Sequence, residues 1–436
     1  MRKVLLVALG VSVFFLVYNS GLSGQQQPLR FGPKSTVTRT GMSAKGSAAG
    51  SGPWVQMAKL TSTDTNFTFF GQTVAVSGDT LVVGTSDEDI HATGQAAYVF
   101  VQPSGGWKNM TQVARLTPSD QASYFANSLR ISGDTIAVGA PGANQGTGAV
   151  YVYVKPAAGW KDMTETAKLT TSDTQLSALG KSVSFSGDTI VTGAPGALSS
   201  GEGKACVFVK PPAGWKNMTQ TAELVSSDIA SGDNFGWSVA ISGDTVVAGA
   251  PQVSTGNGKG YVFIKPAGGW KNETETAELT ASDGGPQLDF GWAAAIDGNT
   301  AVFSESGGTP SALYVFVKPE GGWRDVTQTA ELIAPGIDYW YGYSVDINGD
   351  SIVTGDYLFS PSNFGDEGAA FLYVKPTGGW KDTSSPDATF TGSDAHWGCF
   401  FGQGVAVSGK SIVATAWANG SGNNFDAGAG YVFIHP

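Results

Sequence analysis

The chain has 436 residues, of which only 14% are charged, and it carries 61 glycines and a net charge of −11. Aromatic residues make up 11% of it, enough for a hydrophobic core, so the composition is unlike that of a disordered chain. The negative charge and the lack of Lys/Arg clusters argue against a nucleic-acid partner, because phosphate binding needs clustered positive charge.

Residues 1–23 have the pattern of a secretory signal peptide. Arg2 and Lys3 precede an uninterrupted run of fourteen apolar or small residues, Val4 to Val17. That run is shorter than a typical membrane-spanning helix, which needs about 20 apolar residues. We predict cleavage near Ser23 and export, with an uncleaved N-terminal anchor as the alternative. Residues 24–53 predict a flexible linker, and no membrane span is expected in the mature chain.

Residues 54–436 consist of seven tandem copies of one repeat. The copy from Gly214 to Pro266 reads GWKNMTQTAELVSSDIASGDNFGWSVAISGDTVVAGAPQVSTGNGKGYVFIKP, and its leading tryptophan recurs at spacings of 53 to 57 residues. The recurring tryptophans are Trp54, Trp107, Trp160, Trp215, Trp270, Trp323 and Trp380. Repetition at such a period is typical of propellers, solenoids and other arrays.

Each copy contains four short strand-like runs bounded by Gly, Pro, Ser or Asp. In the copy above they are TAEL, SVAIS, TVVAGA and GYVFIK. The string SGDT between the second and third runs predicts a type II′ hairpin, because glycine adopts the required positive φ freely. Seven units of four antiparallel strands predict an all-β, seven-bladed β-propeller, in which each sheet covers its neighbours.

The order of the runs predicts how the ring closes. The first run of a copy should be the outermost strand of one blade, and the next run should be the innermost strand of the following blade. The N-terminal strand, about residues 55–60, is then an outer strand without a blade. The last strand, about residues 430–435, lacks an outer neighbour. Pairing the two closes the ring and removes two open sheet edges.

The string FGWSVAISGDTVVAGAP, from Phe235 to Pro251, resembles the FG-GAP repeat, which builds the seven-bladed propellers of integrin α-chains and of many exported bacterial proteins. The resemblance covers residues 54–436. Copy two has Ala126 in place of the FG glycine, and copies five to seven read AVFSES, IVTGDY and IVATAW where GAP is usual. The resemblance implies a monomeric propeller, a fold that serves adhesion, ligand binding and scaffolding alike.

Calcium-binding members of this family carry a DxDxDG-type loop between the first two strands of a blade. In this chain the two-residue SGDT turn stands there and offers one carboxylate, whereas Ca²⁺ takes about six to eight oxygen ligands. We therefore expect neither an integrin-type calcium site nor a cofactor.

The sequence contains no evident catalytic constellation. Its three histidines lie in unrelated settings, and no HExxH, GxSxG, P-loop or dinucleotide fingerprint occurs. An aspartate closes each outer strand: Asp64, Asp120, Asp173, Asp228, Asp283, Asp338 and Asp394. A ring of ion ligands is one interpretation. Recurrence in every copy favours the other, a structural turn in which the carboxylate accepts backbone hydrogen bonds.

The candidate functional site lies in the loops that break the repeat. The loop entering the FG strand and the loop following GAP should share one face of the disc. In copies six, seven and one, which are neighbours in the closed ring, these loops gain aromatic and acidic residues. They are Tyr339, Trp340, Tyr341, Tyr357, Phe359 and Phe364 in copy six, His396, Trp397, Phe400, Trp417 and Phe425 in copy seven, and Phe67, Phe69, Asp87, Glu88, Asp89 and His91 in copy one.

Clustered aromatic residues of this kind mark binding surfaces, although they also fill the end of a core or a central funnel. We therefore expect an exported, non-enzymatic binding or adhesion module that engages an extracellular protein or glycan through this arc. Two alternatives stay open. One is a carbohydrate-active enzyme on a propeller scaffold, with Asp87, Glu88, Asp89 and His91 as its acids and base. The other is a purely structural spacer.

Overall fold

The computed structural model describes residues 53–64, 69–85, 94–173, 177–196, 203–228, 230–252, 258–283, 289–305, 311–333, 340–360, 367–396, 398–418 and 428–435. They belong to one compact unit and form seven sheets, the blades of a propeller. The innermost strand of each blade contacts the innermost strands of both neighbours, and the contact between blades seven and one completes the ring. The predicted signal peptide and linker lie outside the described residues.

Each blade has four antiparallel strands, numbered here from the axis outward. The innermost strands of blades one to seven are Phe70–Ser77, Ser128–Ser132, Ser182–Ser186, Ser238–Ser242, Ala294–Asp297, Ser344–Asn348 and Phe401–Ser408. The second strands are Thr80–Thr85, Thr135–Ala140, Thr189–Ala194, Thr245–Ala250, Thr300–Ser304, Ser351–Asp356 and Ser411–Ala416. The third strands are Ala97–Val101, Ala149–Val154, Lys204–Val209, Lys259–Ile264, Ala312–Val317, Ala369–Val374 and Ala429–Ile434. The outer strands are Ala114–Thr117, Ala167–Thr170, Ala222–Val225, Ala277–Thr280, Ala330–Ile333, Ala388–Phe390 and Val55–Thr61.

The hairpin between the innermost and second strands has the geometry that SGDT predicts. In blade one the strands end at Ser77 and resume at Thr80, which leaves Gly78 and Asp79 as the turn. The φ angle is positive at Gly78 (58°) and not at Asp79. A single positive φ at the first central position is the type II′ pattern, whose twist matches that of the strands.

The ring closes as predicted, through blade seven. Its outer strand, Val55–Thr61, pairs antiparallel with its third strand, Ala429–Ile434, from Val55 opposite Ile434 to Leu60 opposite Gly430. Residues from both ends of the described chain thus build one sheet, and neither strand is left as an open edge.

Neighbouring blades are joined near the axis by a hydroxyl two residues after the FG glycine. The Ser182 hydroxyl donates to the carbonyl oxygen of Gly236, the FG glycine of the next blade, at 3.1 Å. Thr73, Ser128, Ser238 and Ser344 make the same bond in blades one, two, four and six. We call each such junction between neighbouring blades a seam.

The GAP glycine is required at the seam because the backbone of the next blade passes directly over it. A Cβ atom on Gly193 would lie 1.7 Å from the carbonyl oxygen of Gly236, and one on Gly249 would lie 2.2 Å from that of Gly291. Any side chain there forces two backbones apart in a close-packed region. The glycine of the motif is therefore explained by blade packing.

Blades five and seven lack this glycine and compensate on the innermost strand. Ser304 and Thr415 stand at the GAP-glycine position, and Ala293 and Gly404 replace the innermost-strand hydroxyl. Thr415 Oγ1 donates to the Gly71 carbonyl oxygen at 2.6 Å, which is the bond made by the innermost-strand hydroxyl elsewhere. A small residue on one strand thus makes room for a hydroxyl on the other.

Five blades carry a short fifth strand, which the four-stranded prediction did not include. It comes from the NMT string of the following copy and pairs parallel with the outer strand, as Met110–Thr111 does with Leu60 and Thr61. Its counterparts are Met163–Thr164, Met218–Thr219, Glu273–Thr274 and Val326–Thr327. The preceding residue accepts a hydrogen bond from the outer-strand backbone, Asn109 from Lys59 and Asp162 from Arg115, both at 2.8 Å. Asn and Asp interchange in this position because only the side-chain oxygen is used.

Six of the recurring tryptophans are structural, since Trp107, Trp160, Trp215, Trp270, Trp323 and Trp380 are at most 9% exposed. Trp54 is different, because it is half-buried and packs edge-on against Phe390. Gln56 accepts a hydrogen bond from the backbone of Ser393, as Gln112 does from that of Thr63. Trp54 therefore occupies the register of Met110, and its grouping with the other tryptophans was wrong.

Candidate functional site

A cavity of about 280 Å³ lies on the propeller axis, at the end where the innermost strands begin. We call it the channel mouth. Its rim is formed by the residue directly after the FG glycine of each blade. From blade one to blade seven these residues are Gln72, Asn127, Lys181, Trp237, Trp292, Tyr343 and Gln403. Phe70 lies opposite Thr85 on the neighbouring strand, so the loops that follow the second strands surround this same end.

One side of the rim is aromatic. Blades four to six contribute Trp237, Trp292 and Tyr343, whose successive ring centroids lie 5.1 and 6.1 Å apart. The ammonium group of Lys181, in blade three, lies 4.4 Å from the Trp237 ring centroid, a cation–π contact. These three rings form the aromatic wall of the channel mouth.

The other side of the rim carries carboxamides. Blades seven, one and two contribute Gln403, Gln72 and Asn127, and Gln403 donates from Nε2 to Gln72 Oε1 at 3.1 Å. Gln403 is 7% exposed, so its amide is held by the surrounding blades. This amide wall faces the aromatic wall, because blades four to six lie across the ring from blades seven, one and two.

An ion pair crosses the axis beneath the rim. Arg130 of blade two donates from Nη2 to Asp346 Oδ1 of blade six at 2.8 Å. The second carboxylate oxygen of Asp346 accepts a bond from the backbone N–H of Val407 at 2.9 Å. Asp346 is 4% exposed, so both of its oxygens are satisfied inside the ring. The pair forms a floor that closes the channel below the mouth.

Aromatic side chains continue outward from the aromatic wall over the same face. We call the aromatic arc the eight side chains Trp237, Trp292, Tyr343, Trp340, Tyr357, Phe400, Trp417 and Phe69, from blades four to seven and one. Neighbouring centroids are 4.8 to 6.3 Å apart. All eight are half-buried, and Phe400 stacks on Trp417 with 6° between the rings. Contiguous, partly exposed rings are typical of interaction surfaces.

The arc occupies three register positions of the repeat: the residue before the FG pair, the residue after it, and the proline of GAP. Tyr357 and Trp417 stand at the GAP proline. The residue before the FG pair has positive φ in many blades, whatever its type: Phe69, Tyr124, Ala178, Asn234, Asp289 and Phe400. The left-handed backbone is thus a property of the turn, and the aromatic side chain is what differs between blades.

Five of the predicted residues are brought together in the arc: Trp340, Tyr357, Phe400, Trp417 and Phe69. The prediction for Tyr341 was wrong, because this residue stands at the phenylalanine of the FG pair and is 0% exposed. Its hydroxyl donates to that of Tyr373 at 2.7 Å. Tyr341 belongs to the core and is unavailable to a ligand.

Two further predicted residues lie beside the arc. Phe359 packs edge-on against Phe371, with 5.2 Å between ring centroids, and belongs to the border of a core cluster. His396 is half-buried in the loop that enters blade seven, where its carbonyl accepts a bond from the backbone of Cys399 at 3.1 Å. The remaining predicted residues lie outside the described residues: Tyr339, Phe364, Trp397, Phe425, Phe67, Asp87, Glu88, Asp89 and His91.

None of the seven rim residues was predicted: Gln72, Asn127, Lys181, Trp237, Trp292, Tyr343 and Gln403. A signal for them exists in the sequence. Each directly follows the FG pair, at a position that takes five residue types in the seven copies although most of its neighbours repeat. Alignment of the copies in register would have identified this position.

The aspartates that close the outer strands join neighbouring blades. Asp120 accepts hydrogen bonds from the Tyr151 hydroxyl at 2.7 Å and from the Lys168 ammonium at 2.5 Å. Burial by itself would raise the pKa of Asp120, but these two bonds hold it below its usual value. Tyrosine hydroxyls bond in the same way to Asp64, Asp228, Asp283 and Asp394. These aspartates are structural, because they bond to side chains of the next blade in addition to contacts within the local turn, such as the Ser226 hydroxyl donating to Asp228. Asp338 lies outside the described residues.

Glu305 is a buried carboxyl group in blade five, at the alanine position of GAP. It is 3% exposed, and its Oε2 atom accepts a hydrogen bond from the Tyr314 hydroxyl at 2.8 Å. Burial raises the pKa of Glu305 to about 7. This carboxyl group therefore titrates near neutral pH.

Two general features of the described part of the chain bear on function. It contains no group of three or more His, Cys, Asp or Glu side chains that could hold a metal ion. In the same residues, no helix is long and apolar enough to cross a membrane.

Comparison with known proteins supports the sequence resemblance. The FG-GAP repeat family matches residues 54–100, 110–153, 163–208, 218–263 and 274–316, just over half of the chain. A search of curated proteins finds no match. The crystal structure of the WD40 domain from Toxoplasma gondii coronin aligns with a TM-score of 0.51 and 11% identity, covering 88% of this chain and 85% of that one, and at this identity the likeness shows the fold alone. With five matched copies and all seven blades in place, the chain belongs to the FG-GAP repeat family.

Proposed function

We propose that this chain is an exported, non-enzymatic binding module that engages an extracellular protein or glycan through the aromatic arc. The observation that carries the proposal is the unbroken contact of eight half-buried rings on one face of the propeller. Export is supported by Arg2, Lys3 and the apolar run that follows them.

The arc does not serve as the packing of the blades. The hydrophobic clusters between blades are built from strand residues and from the recurring tryptophans, and none of the eight arc residues belongs to them. The rings instead pack on one another above the strand ends. Aromatic residues that are held rigidly and exposed in part lose little entropy when they bind a partner, which favours a recognition role.

The test is a double variant, Trp340→Ala with Trp417→Ala, made in the chain without residues 1–23. Binding is measured on a printed glycan array and on a panel of purified extracellular proteins. We expect about a tenfold or greater loss of apparent affinity for the partner that the parent chain binds, because two adjoining segments of the arc lose their rings. The melting temperature should stay near that of the parent.

The matched control is Tyr124→Ala. Tyr124 is a half-buried aromatic residue at the register of Trp340 and Phe400, but in blade two, across the ring from blades five and six. It should keep full binding. A folded double variant that binds as tightly as the parent would contradict the proposal.

A further inference from the structure

We propose that the channel mouth is a binding pocket for one pyranose unit, such as the terminal sugar of a glycan. This inference rests on the proposed function. It specifies the class of ligand and the pocket that recognises it. The arc then guides the rest of the glycan, and the axial cavity holds the terminal ring.

The two walls of the channel mouth match the two kinds of surface that a pyranose presents. Its C–H face is flat and apolar, and packs on aromatic rings such as Trp237 and Trp292, 5.1 Å apart. Its hydroxyl groups both donate and accept hydrogen bonds, and so do the carboxamides of Gln72, Asn127 and Gln403. A wholly apolar ligand would cover the amide groups without giving them hydrogen-bond partners. A highly charged ligand would gain little from packing against the aromatic rings.

The amide wall is ordered before a ligand arrives. Gln403 is 7% exposed and its Nε2 atom donates to Gln72 Oε1 at 3.1 Å, which fixes both amide planes at the cavity. Preorganised polar groups that need no reorientation on binding are typical of ligand pockets. The seams do not require these amides, because they use the adjacent hydroxyl position.

Size and closure also fit one sugar ring. The cavity measures about 280 Å³, at the lower end of the range of about 300–1,000 Å³ that is typical of small-molecule sites. The Arg130–Asp346 pair closes the channel below it and cancels the charge of the guanidinium. Lys181, held against the Trp237 ring, is then the one cation on the rim. A neutral pyranose is therefore favoured over a polyanion.

The position of the rim in the repeat supports a ligand role. The FG glycine before it and the seam hydroxyl after it serve the same contact in blade after blade. The residue between them has no such shared contact and instead divides the ring, with amides in blades seven, one and two, Lys181 in blade three, and aromatic rings in blades four to six. Fold requirements give no reason for this division.

The test uses methyl glucoside, methyl galactoside, methyl mannoside and methyl N-acetylglucosaminide as probes, with methyl glucuronide as a charged comparison. Binding to the chain without residues 1–23 is followed by saturation-transfer NMR and by tryptophan fluorescence. We expect at least one neutral pyranoside to bind. Trp237→Ala should weaken it about tenfold or more, and Gln72→Met, which keeps the volume and removes the amide, should weaken it several-fold. Trp237→Phe, which retains a ring, should restore most of the affinity and guards against a folding defect.

Trp417→Ala is the control, because it removes a ring of the arc that does not line the channel mouth. It should leave monosaccharide binding unchanged. The inference is overturned if no neutral pyranoside binds, if only the glucuronide binds, or if Trp237→Ala and Gln72→Met both bind as the parent does. Even then, the proposed function stands if the Trp340/Trp417 double variant loses binding to the partner of the parent chain. If the double variant still binds that partner, the proposed function is wrong too.

Discussion

The seams between blades and the face around the channel mouth are built from adjacent residues at the start of the innermost strands, but the residue at the seam is repeated and the residue on the face varies. Ser182 makes a blade-to-blade hydrogen bond that is found in five blades, while its neighbour Lys181 belongs to a rim in which the residue type varies from amide to cation to aromatic ring. The seam repeats because every pair of blades meets in one geometry. The residues on the face can differ between blades because the packing of the ring does not require a particular residue there. We therefore look for the functional site among these variable residues.

Blades five to seven show the difference most clearly. At the seam, Ser304 and Thr415 replace the GAP glycine, yet a hydroxyl still lies at the junction because Ala293 and Gly404 make room for it. On the face, Tyr357 and Trp417 replace the GAP proline, and their rings pack on Trp340 and Phe400 of the arc. Substitutions at the seam should therefore alter stability alone, and those on the face should alter binding alone.

The largest effect expected at a seam is the loss of ring closure. Deletion of residues 54–62 removes the outer strand of blade seven and exposes the edge of Ala429–Ile434. We expect the melting temperature to fall by about 10 °C or more, since a whole strand of packing is lost. Deletion of residues 25–50, the comparison, should leave it unchanged. Equal melting temperatures for the two deletions would mean that the closing strand is not needed.

A methyl group at the GAP glycine is the next most severe change. Gly193→Ala places a Cβ atom 1.7 Å from the Gly236 carbonyl oxygen, and we expect a loss of about 3 kcal/mol in the free energy of unfolding. The control is Gly268→Ala, in a hairpin where a Cβ meets nothing within 4 Å. Urea denaturation measures both. If Gly193→Ala also abolished glycan binding while the chain stayed folded, the separation of seam from face would break down.

Glu305 lies at the border of the two regions and makes stability depend on pH. Burial raises its folded-state pKa to about 7 from 4.5, so its contribution is complete below pH 4.5 and is lost as the pH rises through about 7. Glu305→Gln keeps the acceptor for Tyr314 and should flatten this dependence, with a gain of about 2–3 kcal/mol at pH 8. Glu320→Gln, on an exposed hairpin, is the control. Parallel stability curves for parent and Glu305→Gln between pH 5 and 8 would refute this assignment.

The smallest effect concerns a single seam hydroxyl. Ser182→Ala removes the bond to the Gly236 carbonyl and should cost about 1 kcal/mol. Ala293→Ser, the reciprocal change in blade five, should give no gain, because Ser304 already places its hydroxyl against this position. Thermal unfolding of the two variants compares them directly. A clear stabilisation by Ala293→Ser would show that the two hydroxyl positions are not equivalent.

Much of the fold was predictable because it rests on local and periodic information. The four runs per copy, the Gly78–Asp79 turn and the order of strands each follow from a short stretch of sequence. The closure of the ring by Val55–Thr61 was predictable because the order of the strands leaves this strand, and the last strand of the chain, without a neighbour. The fifth strands were missed because a two-residue run such as Met110–Thr111 has no periodicity, and its pairing joins two copies.

The site was predictable only in part. Trp340, Tyr357 and Trp417 were found because they interrupt the repeat, whereas Tyr341 was misassigned because a tyrosine at the FG phenylalanine looks like an interruption too. Tyr341 is buried against the third strand of its blade, where the Tyr373 hydroxyl accepts a hydrogen bond from the Tyr341 hydroxyl. Trp237 and Trp292 were missed because each follows an intact FG pair, and the FG pair itself gives no sign of an interruption of the repeat.

The repeat, the strands and turns inside it, and the closed seven-bladed ring can all be derived from the sequence, because each depends on residues near one another in the chain or on the number of strands. The side chains that face the axis could not be derived in this way, because they come from different blades. The ring brings Arg130 against Asp346 and sets Trp237 across from Gln72, although these residues stand more than a hundred positions apart. Contacts across the axis depend on the angle at which the seven blades pack against one another, and this angle cannot be inferred from the sequence of a single copy of the repeat.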